Sequence, residues 1–400
     1  MAQSWSWLYV LSFLGCSGDS VLMSVLTSHL RSLGISHVNI GLLSSANGLA
    51  LLISGPIVGS WSDIHGRREV LCLSTLVCAL AYVALGHVSS LYLLFFTRCV
   101  LGTFQHVQTL GRALVADIVP ADKQASTTAL MHAFAYLSLT VGPLISGHVM
   151  EADNGFQCLT IAVATIFVFN AVLIYTFASP ARSLKTRTSE NTPPSKQLLL
   201  IFQQLKSINW KDCWMIFCIK FLFDFSALFF FRSVDVALVN SFQLTSRYVG
   251  YTISFYCFIL LLSSLVLGAT KFLKASSGNH LKYLNYTFWV MTVSLVGLYT
   301  VNNPTLFVVG LVPLACGHSL ARVLLTEVLL EQCDDSCRGS VMGASSSVAA
   351  IARTVAPLLS SLAISWGGVS LMLIASSLVT ASASLLTSSY SRQQVRSKVL

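Results

Sequence analysis

Charge is what this 400-residue chain has least of: Asp, Glu, Lys and Arg together supply only 10% of it. Soluble domains carry about 25%. Hydrophobic residues supply 54%, more apolar surface than a water-soluble domain can hide, so the solvent for most of the chain is lipid. Acidic residues are the scarcer sign, 15 against 24 Lys and Arg. No Walker loop and no nucleophile elbow occurs. No catalytic residue is nominated, no cofactor is expected, and neither an enzyme nor an ATP-driven pump is supported. The 11 cysteines lie mostly inside apolar segments, with neither a secreted disulfide framework nor a zinc spacing. Cys333 and Cys337 flank Asp334, Asp335 and Ser336, where a pair of incidental thiols outweighs a metal site, so no metal ligand is nominated.

What is abundant is long apolar segments. A bilayer crossing needs about 20 apolar residues. Twelve such segments are expected, near 7–30, 40–62, 69–87, 91–116, 125–149, 156–178, 212–239, 248–270, 282–302, 305–330, 339–363 and 366–390. The first begins close to Met1 with no cleavage-site pattern, and is read as a retained span. With the N-terminus in the cytoplasm, Arg67, Arg68, Lys123, the basic run between 182 and 211, and Arg338 fall on one side, while only Arg31 and Arg247 fall in loops on the other. That asymmetry predicts a multi-pass protein with both termini cytoplasmic. It also explains the net charge of +9 without nucleic acid as a partner. Asn285-Tyr286-Thr287 matches a glycosylation acceptor, but it lies at a cytoplasmic helix start and is expected to be unused.

The apolar rhythm breaks at 179–211, where Pro180, Pro193 and Pro194 sit among basic and hydroxyl residues, as in a flexible linker. The expected organisation is a six-helix bundle over 1–178, a cytoplasmic linker over 179–211, a second six-helix bundle over 212–391 and a short basic tail over 392–400. The halves echo each other. Gly41 and Gly59 match Gly250 and Gly268 in spacing, and Val141-Gly142-Pro143-Leu144-Ile145-Ser146 is echoed by Val355-Ala356-Pro357-Leu358-Leu359-Ser360. A nearly fixed offset supports duplication of a six-helix unit.

Charge within a span is costly, about 2.5–3.5 kcal/mol on insertion scales, so it faces protein or water and marks function. Asp19 lies in the first span; Arg98, Gln105, His106 and Arg112 in the fourth; His132 in the fifth; Lys220 and Asp224 in the seventh; His318 and Arg322 in the tenth; Arg353 in the eleventh. The middles of spans 3, 6, 9 and 12 carry no charge. Arg98, Gly102, Gln105, Thr109, Arg112 and Ala116 share one helical face. Lys220 and Asp224, four residues apart, either compensate each other or meet a substrate. Asp19 has no cation within one turn. It is a proton-coupling candidate, or else a carboxylate paired to Arg353 or Arg112. His106 and His318 suit hydrogen-bonding cavity walls or proton relays.

Between the second and third spans runs Gly59-Ser60-Trp61-Ser62-Asp63-Ile64-His65-Gly66-Arg67-Arg68. The pattern Gly-x-x-x-Asp-x-x-Gly-Arg-Arg, flanked by membrane helices, resembles the signature loop of the major facilitator superfamily. Arg98 and Gly102 resemble that family's Arg-x-x-x-Gly element. Gly142, Pro143 and Gly147 resemble the Gly-Pro-x-x-Gly-Gly helix-packing element of its drug/proton antiporter branch, with Ser146 in place of the first Gly of the pair. The chain also resembles the tetracycline-resistance-like antiporters and the animal orphan group called major facilitator superfamily domain-containing protein 9. The resemblance implies an all-α membrane protein of twelve transmembrane helices in two pseudo-symmetric six-helix bundles. Spans 1, 4, 7 and 10 then line a central cavity, matching the charge census. It also implies a cytoplasmic latch. Asp63 would accept from the start of span 11, Arg67 would pair with Asp117, Gly59 would allow close helix approach, and Gly66 would allow the turn, with Arg68 beside them.

The expected function is a secondary transporter in the lipid bilayer, moving a small organic solute by alternating access with proton coupling. The cavity cations outnumber the anions, which favours an anionic or zwitterionic solute. A proton-independent facilitator of the same fold and a non-transporting membrane scaffold or receptor remain the alternatives.

Overall fold

A computed structural model describes residues 5–178, 210–269, 279–331 and 338–399. Most of the expected 179–211 linker and the Cys333/Cys337 pair lie outside the described residues. Every long element among those described is an α-helix: α1 (Ser6–Ser32), α2 (His37–His65), α3 (Arg67–His87), α4 (Leu91–Phe104), α5 (Val107–Ile118), α6 (Ala121–Val149), α7 (Gly155–Phe177), α8 (Trp210–Val236), α9 (Ser246–Ala269), α10 (His280–Thr300), α11 (Pro304–Glu331) and α12 (Arg338–Val399). A π-turn, Ala237–Ser241, closes α8.

Local chemistry sets the helix ends. Ser36 accepts from the Asn39 amide at 3.4 Å and caps α2, satisfying one of the donors a helix start leaves open. Gly66 separates α2 from α3 at φ +99°, a conformation that costs a residue with a Cβ but not glycine. α12 is 62 residues long, far beyond the roughly 20 a crossing needs. Gly368, at φ +63°, breaks it into two limbs, the eleventh and twelfth expected spans. Nine of the described helices are long and apolar enough to cross a bilayer. The second limb of α12, the α4–α5 pair and α10 lie where the other three expected segments fall.

The fourth span differs from the single helix expected over 91–116. It is two short helices of 14 and 12 residues, interrupted at Gln105 and His106. No proline is present to force the break. A polar sequence from Gln105 to Gln108 exchanges helical hydrogen bonds for side-chain ones.

The helices fall into two units. One joins α1–α7 with the start of α9, Thr245–Phe258; the other joins α8, the rest of α9 and α10–α12. In the first, α1 packs on α6, α3 on α7 and α2 on α4. Small residues let the backbones approach, as in membrane bundles generally. A Cβ on Gly142 would lie 2.3 Å from Ser20 Oγ, and Ser24 and Ser146 hydrogen-bond at 2.8 Å. In the second, α8 and α10 pack on α12 and α10 on α11, around buried Phe223 and Phe288.

α3, α7 and α10 turn Leu80, Phe169 and Val293 outward, the apolar exposure expected of lipid-facing scaffold helices. Asn170 on α7 is fully buried, and neither atom of its amide has a hydrogen-bond partner among the described residues. An unmet buried amide costs about 1–3 kcal/mol. Asn170→Leu should therefore raise the melting temperature of the detergent-solubilised protein. A lowered melting temperature would show that the amide is satisfied.

Candidate translocation site

The loop at Gly66 positions Arg67 as a hub. Its Nη2 lies 2.7 Å from Asp63 Oδ1 and its Nε donates to Asp117 Oδ2 at 2.5 Å. Its Nη1 also donates to Ser62 Oγ at 3.1 Å. One guanidinium thus ties the end of α2 to the end of α5, a bridging geometry suited to arginine's planar fork. Arg68 instead donates to the Tyr175 carbonyl at 2.5 Å and lies over the Tyr175 ring at 4.2 Å. It neutralises the carbonyl end of α7, where a cation is favoured. A Cβ added at Gly59 would meet open space, so the close helix approach expected there is absent from the described residues. The glycine making such an approach is Gly102, whose Cβ would lie 2.3 Å from the Asn47 carbonyl.

Halfway along the first unit, the interruption of span 4 organises a polar cluster. Gln105 donates to Tyr82 Oη at 3.2 Å. Tyr82 Oη is so close to α1 that a Cβ on Gly18 would lie 2.0 Å from it. His106 is buried and its Nε2 meets Ser54 Oγ at 2.8 Å. Gln108 reaches α1 through both ends of its amide: Oε1 accepts from Ser12 Oγ at 3.0 Å and Nε2 donates to the Ser12 carbonyl at 2.9 Å. Asp19 follows Gly18. It is exposed in the middle of α1 and lies within electrostatic reach of Tyr82 and Arg98. Non-helical backbone at membrane depth is tolerated where it is buried in protein or lines a water-filled space. The sequence nominated Gln105 and His106 individually but not the break they occupy, nor Tyr82, Ser54 and Gln108 as their partners. Two glutamines and a histidine within four residues of a span were the available signal.

The remaining candidates separate. Arg112 on α5, His132 on α6 and Arg353 on α12 are exposed. In the second unit, Lys220 Nζ binds both oxygens of Asp224, at 2.7 and 2.6 Å, the geometry of internal compensation. His318 is buried, donates through Nδ1 to the Leu314 carbonyl at 3.1 Å, and lies between the rings of Phe223 and Phe230. Arg322 lies within electrostatic reach of Arg353. Pro143 and Gly147 lie on α6 where it meets α9, Gly147 close enough that a Cβ would reach the Ser246 carbonyl at 2.7 Å. Asn285 Oδ1 accepts from Ser384 at 2.6 Å, so this amide is engaged within its unit.

Comparison with known proteins gives a consistent result. The profile of the Major Facilitator Superfamily matches residues 8–357. Human solute carrier family 67 member A1 is 27% identical over 82% of this chain and 78% of its own length. The class E tetracycline resistance protein of Escherichia coli is 30% identical over 34% of this chain and 35% of its own. The crystal structure of the human organic anion transporter MFSD10 (TETRAN) superposes with a TM-score of 0.69 at 17% identity, covering 96% of this chain and 98% of that one.

Proposed function

Because this chain belongs to the Major Facilitator Superfamily and is a multi-pass membrane transporter, we propose that it moves a small organic solute by alternating access, coupled to protons at Asp19. Six spans before the 179–211 linker and six after it form the two moving bundles, with both termini cytoplasmic. The observation that carries the coupling is the placement of Asp19, open to solvent at mid-span beside Arg98, Tyr82 and the interrupted fourth span. A carboxylate there lies within electrostatic reach of Arg98 and can be reached by a proton. Proton uptake removes its charge and weakens that attraction. The change supplies a difference between two states, as any coupled transition requires.

Arg67 with Asp63 and Asp117 forms the cytoplasmic latch of this reading, and Asp63 also meets the start of span 11 in one state of the cycle. Arg98, Arg112, Arg322 and Arg353 favour an anionic or zwitterionic solute, and the mutual proximity of Arg322 and Arg353 gives an anion two charges to neutralise. The likeness of Gly142, Pro143 and Gly147 to the antiporter element, and the tetracycline-resistance-like neighbourhood with its animal orphan group, favour exchange of solute against protons.

A thermal-shift screen of purified protein tests this reading, using organic anions, zwitterions, cations and drug-like compounds at two pH values. A ligand of the native state raises the melting temperature, by about 2.7 kcal/mol of stabilisation at a hundredfold excess over Kd. An anionic or zwitterionic hit with a pH-dependent shift is expected. A cooperatively melting protein that binds nothing across the panel would favour a membrane scaffold instead.

A further inference from the structure

The middle of α3 sends one polar group inward. Leu80 turns outward. Tyr82, two residues on, takes the opposite face and is fully buried. Phe167 of α7 holds its ring at 5.1 Å, tilted by 57°. A buried phenol costs stability unless its hydroxyl finds partners, and here the hydroxyl reaches two other helices. Against α1, a Cβ on Gly18 would lie 2.0 Å from Oη and 2.4 Å from Cζ, so glycine is what admits the ring at this point. From the fourth span, Gln105 Nε2 donates to Oη at 3.2 Å. A hydroxyl oxygen that accepts from Gln105 keeps its own hydrogen to donate.

Both contacts border positions that the transport reading uses. Gly18 precedes Asp19, whose carboxylate lies within electrostatic reach of the Tyr82 hydroxyl, as do Arg98 on α4 and Cys78 on α3. Gln105 is the residue at which α4 stops, and α5 resumes at Val107. One oxygen atom thus sits between the carboxylate-bearing stretch of α1 and the interruption of span 4. His106 and Gln108 pin the same interruption to Ser54 on α2 and Ser12 on α1. Ser12 is about two turns from Asp19 along α1, so Gln105 is the pin that meets the carboxylate's surroundings.

We propose that Tyr82 is a positioning residue for coupling: its hydroxyl relays the charge of Asp19 to the break in span 4. The proposal rests on the reading of Asp19 as the coupling carboxylate and names the group through which a change there reaches a second helix. With Asp19 ionised, the Tyr82 O–H donates to the carboxylate in a charge-assisted bond, and its oxygen accepts from Gln105. With Asp19 protonated, the carboxyl group gains an O–H of its own and competes with Gln105 for the Tyr82 oxygen. Gln105 is released, and the two halves of span 4 are then able to change their angle. No proton passes to Tyr82; the hydroxyl exchanges partners. An element with two discrete arrangements, biased by one site and felt at another, is what coupling requires.

Thr109, exposed in the first turn of α5, reports on the break. Thr109→Cys in the full-length protein in lipid nanodiscs would be labelled with a hydrophilic maleimide at a single pH, and modification read at that residue by mass spectrometry. Asp19→Asn supplies a neutral side chain with a donor at constant pH. It is expected to change the labelling rate about two- to tenfold, the range one hydrogen bond supplies. Combined with Tyr82→Phe, which removes the hydroxyl and keeps the ring, Asp19→Asn is expected to leave the rate unchanged. Gln105→Leu removes the other half of the relay and should abolish the response in the same way, which keeps the test decisive should Tyr82→Phe fold poorly. A tyrosine that served packing alone would alter the melting temperature and the baseline rate when truncated, but the response to Asp19→Asn would persist. An equal response with and without the hydroxyl overturns the relay, and so does the absence of a response in both backgrounds. The assay uses neither a transported solute nor a proton gradient, so the failure of the relay leaves Asp19 itself to be judged by proton flux.

Discussion

Asp19→Asn is expected to abolish gradient-driven accumulation of solute while leaving binding and downhill exchange in place. Asparagine keeps the shape and hydrogen-bonding capacity of the side chain but cannot take up a proton. One proton crossing a gradient of one pH unit carries about 1.4 kcal/mol, enough for about tenfold accumulation. The wild-type protein in proteoliposomes should approach that ratio, and the variant should equilibrate. If Asp19→Asn retains the wild-type pH dependence, the coupling group is elsewhere.

The second large effect belongs to Arg67. Arg67→Gln leaves Asp63 and Asp117 without the guanidinium that both engage. Each partly exposed pair is worth about 0.2–1 kcal/mol. Losing both removes about 1.4 kcal/mol, a tenfold change in the balance between states. Transport should fall by about that factor, and cysteines placed on the cytoplasmic side should gain reactivity. Arg67→Lys should recover part of the loss, because an ammonium reaches one carboxylate well but cannot bridge two as a planar fork does. Arg68→Gln should affect folding or yield more than cycling, because Arg68 is committed to the end of α7. Full transport by Arg67→Gln with unchanged cysteine reactivity would remove the latch from the account.

The sequence made the helices legible because lipid imposes a strong constraint: every crossing needs an apolar run of set length. The runs around Asp63, Lys220 and His318 were read for that reason. The charges stood out because so few segments carry them. The interruption at Gln105 and His106 was hidden, since apolar residues continue on both sides and no proline marks it. Its causes are tertiary: Ser54, Tyr82 and Ser12 receive the polar side chains. Which glycines bring helices together was likewise unreadable. Gly59 matched a family pattern yet faces open space, whereas Gly102, Gly147 and Gly250 meet backbone. Lys220 and Asp224 could be paired from their spacing alone, because four residues in a helix place two side chains on one face. The reach of Arg67 to Asp117 was given by resemblance, but its hold on Asp63 was not.

Proton movement driven by solute is the most direct test of the central claim. Proteoliposomes containing the protein and a trapped pH-sensitive dye would receive a ligand identified in the thermal-shift screen, with no gradient imposed beforehand. The account predicts a solute-dependent change of internal pH that is present in the wild type and absent in Asp19→Asn. Solute movement with no accompanying proton flux in the wild type would contradict it, leaving a facilitator whose mid-span carboxylate serves binding alone.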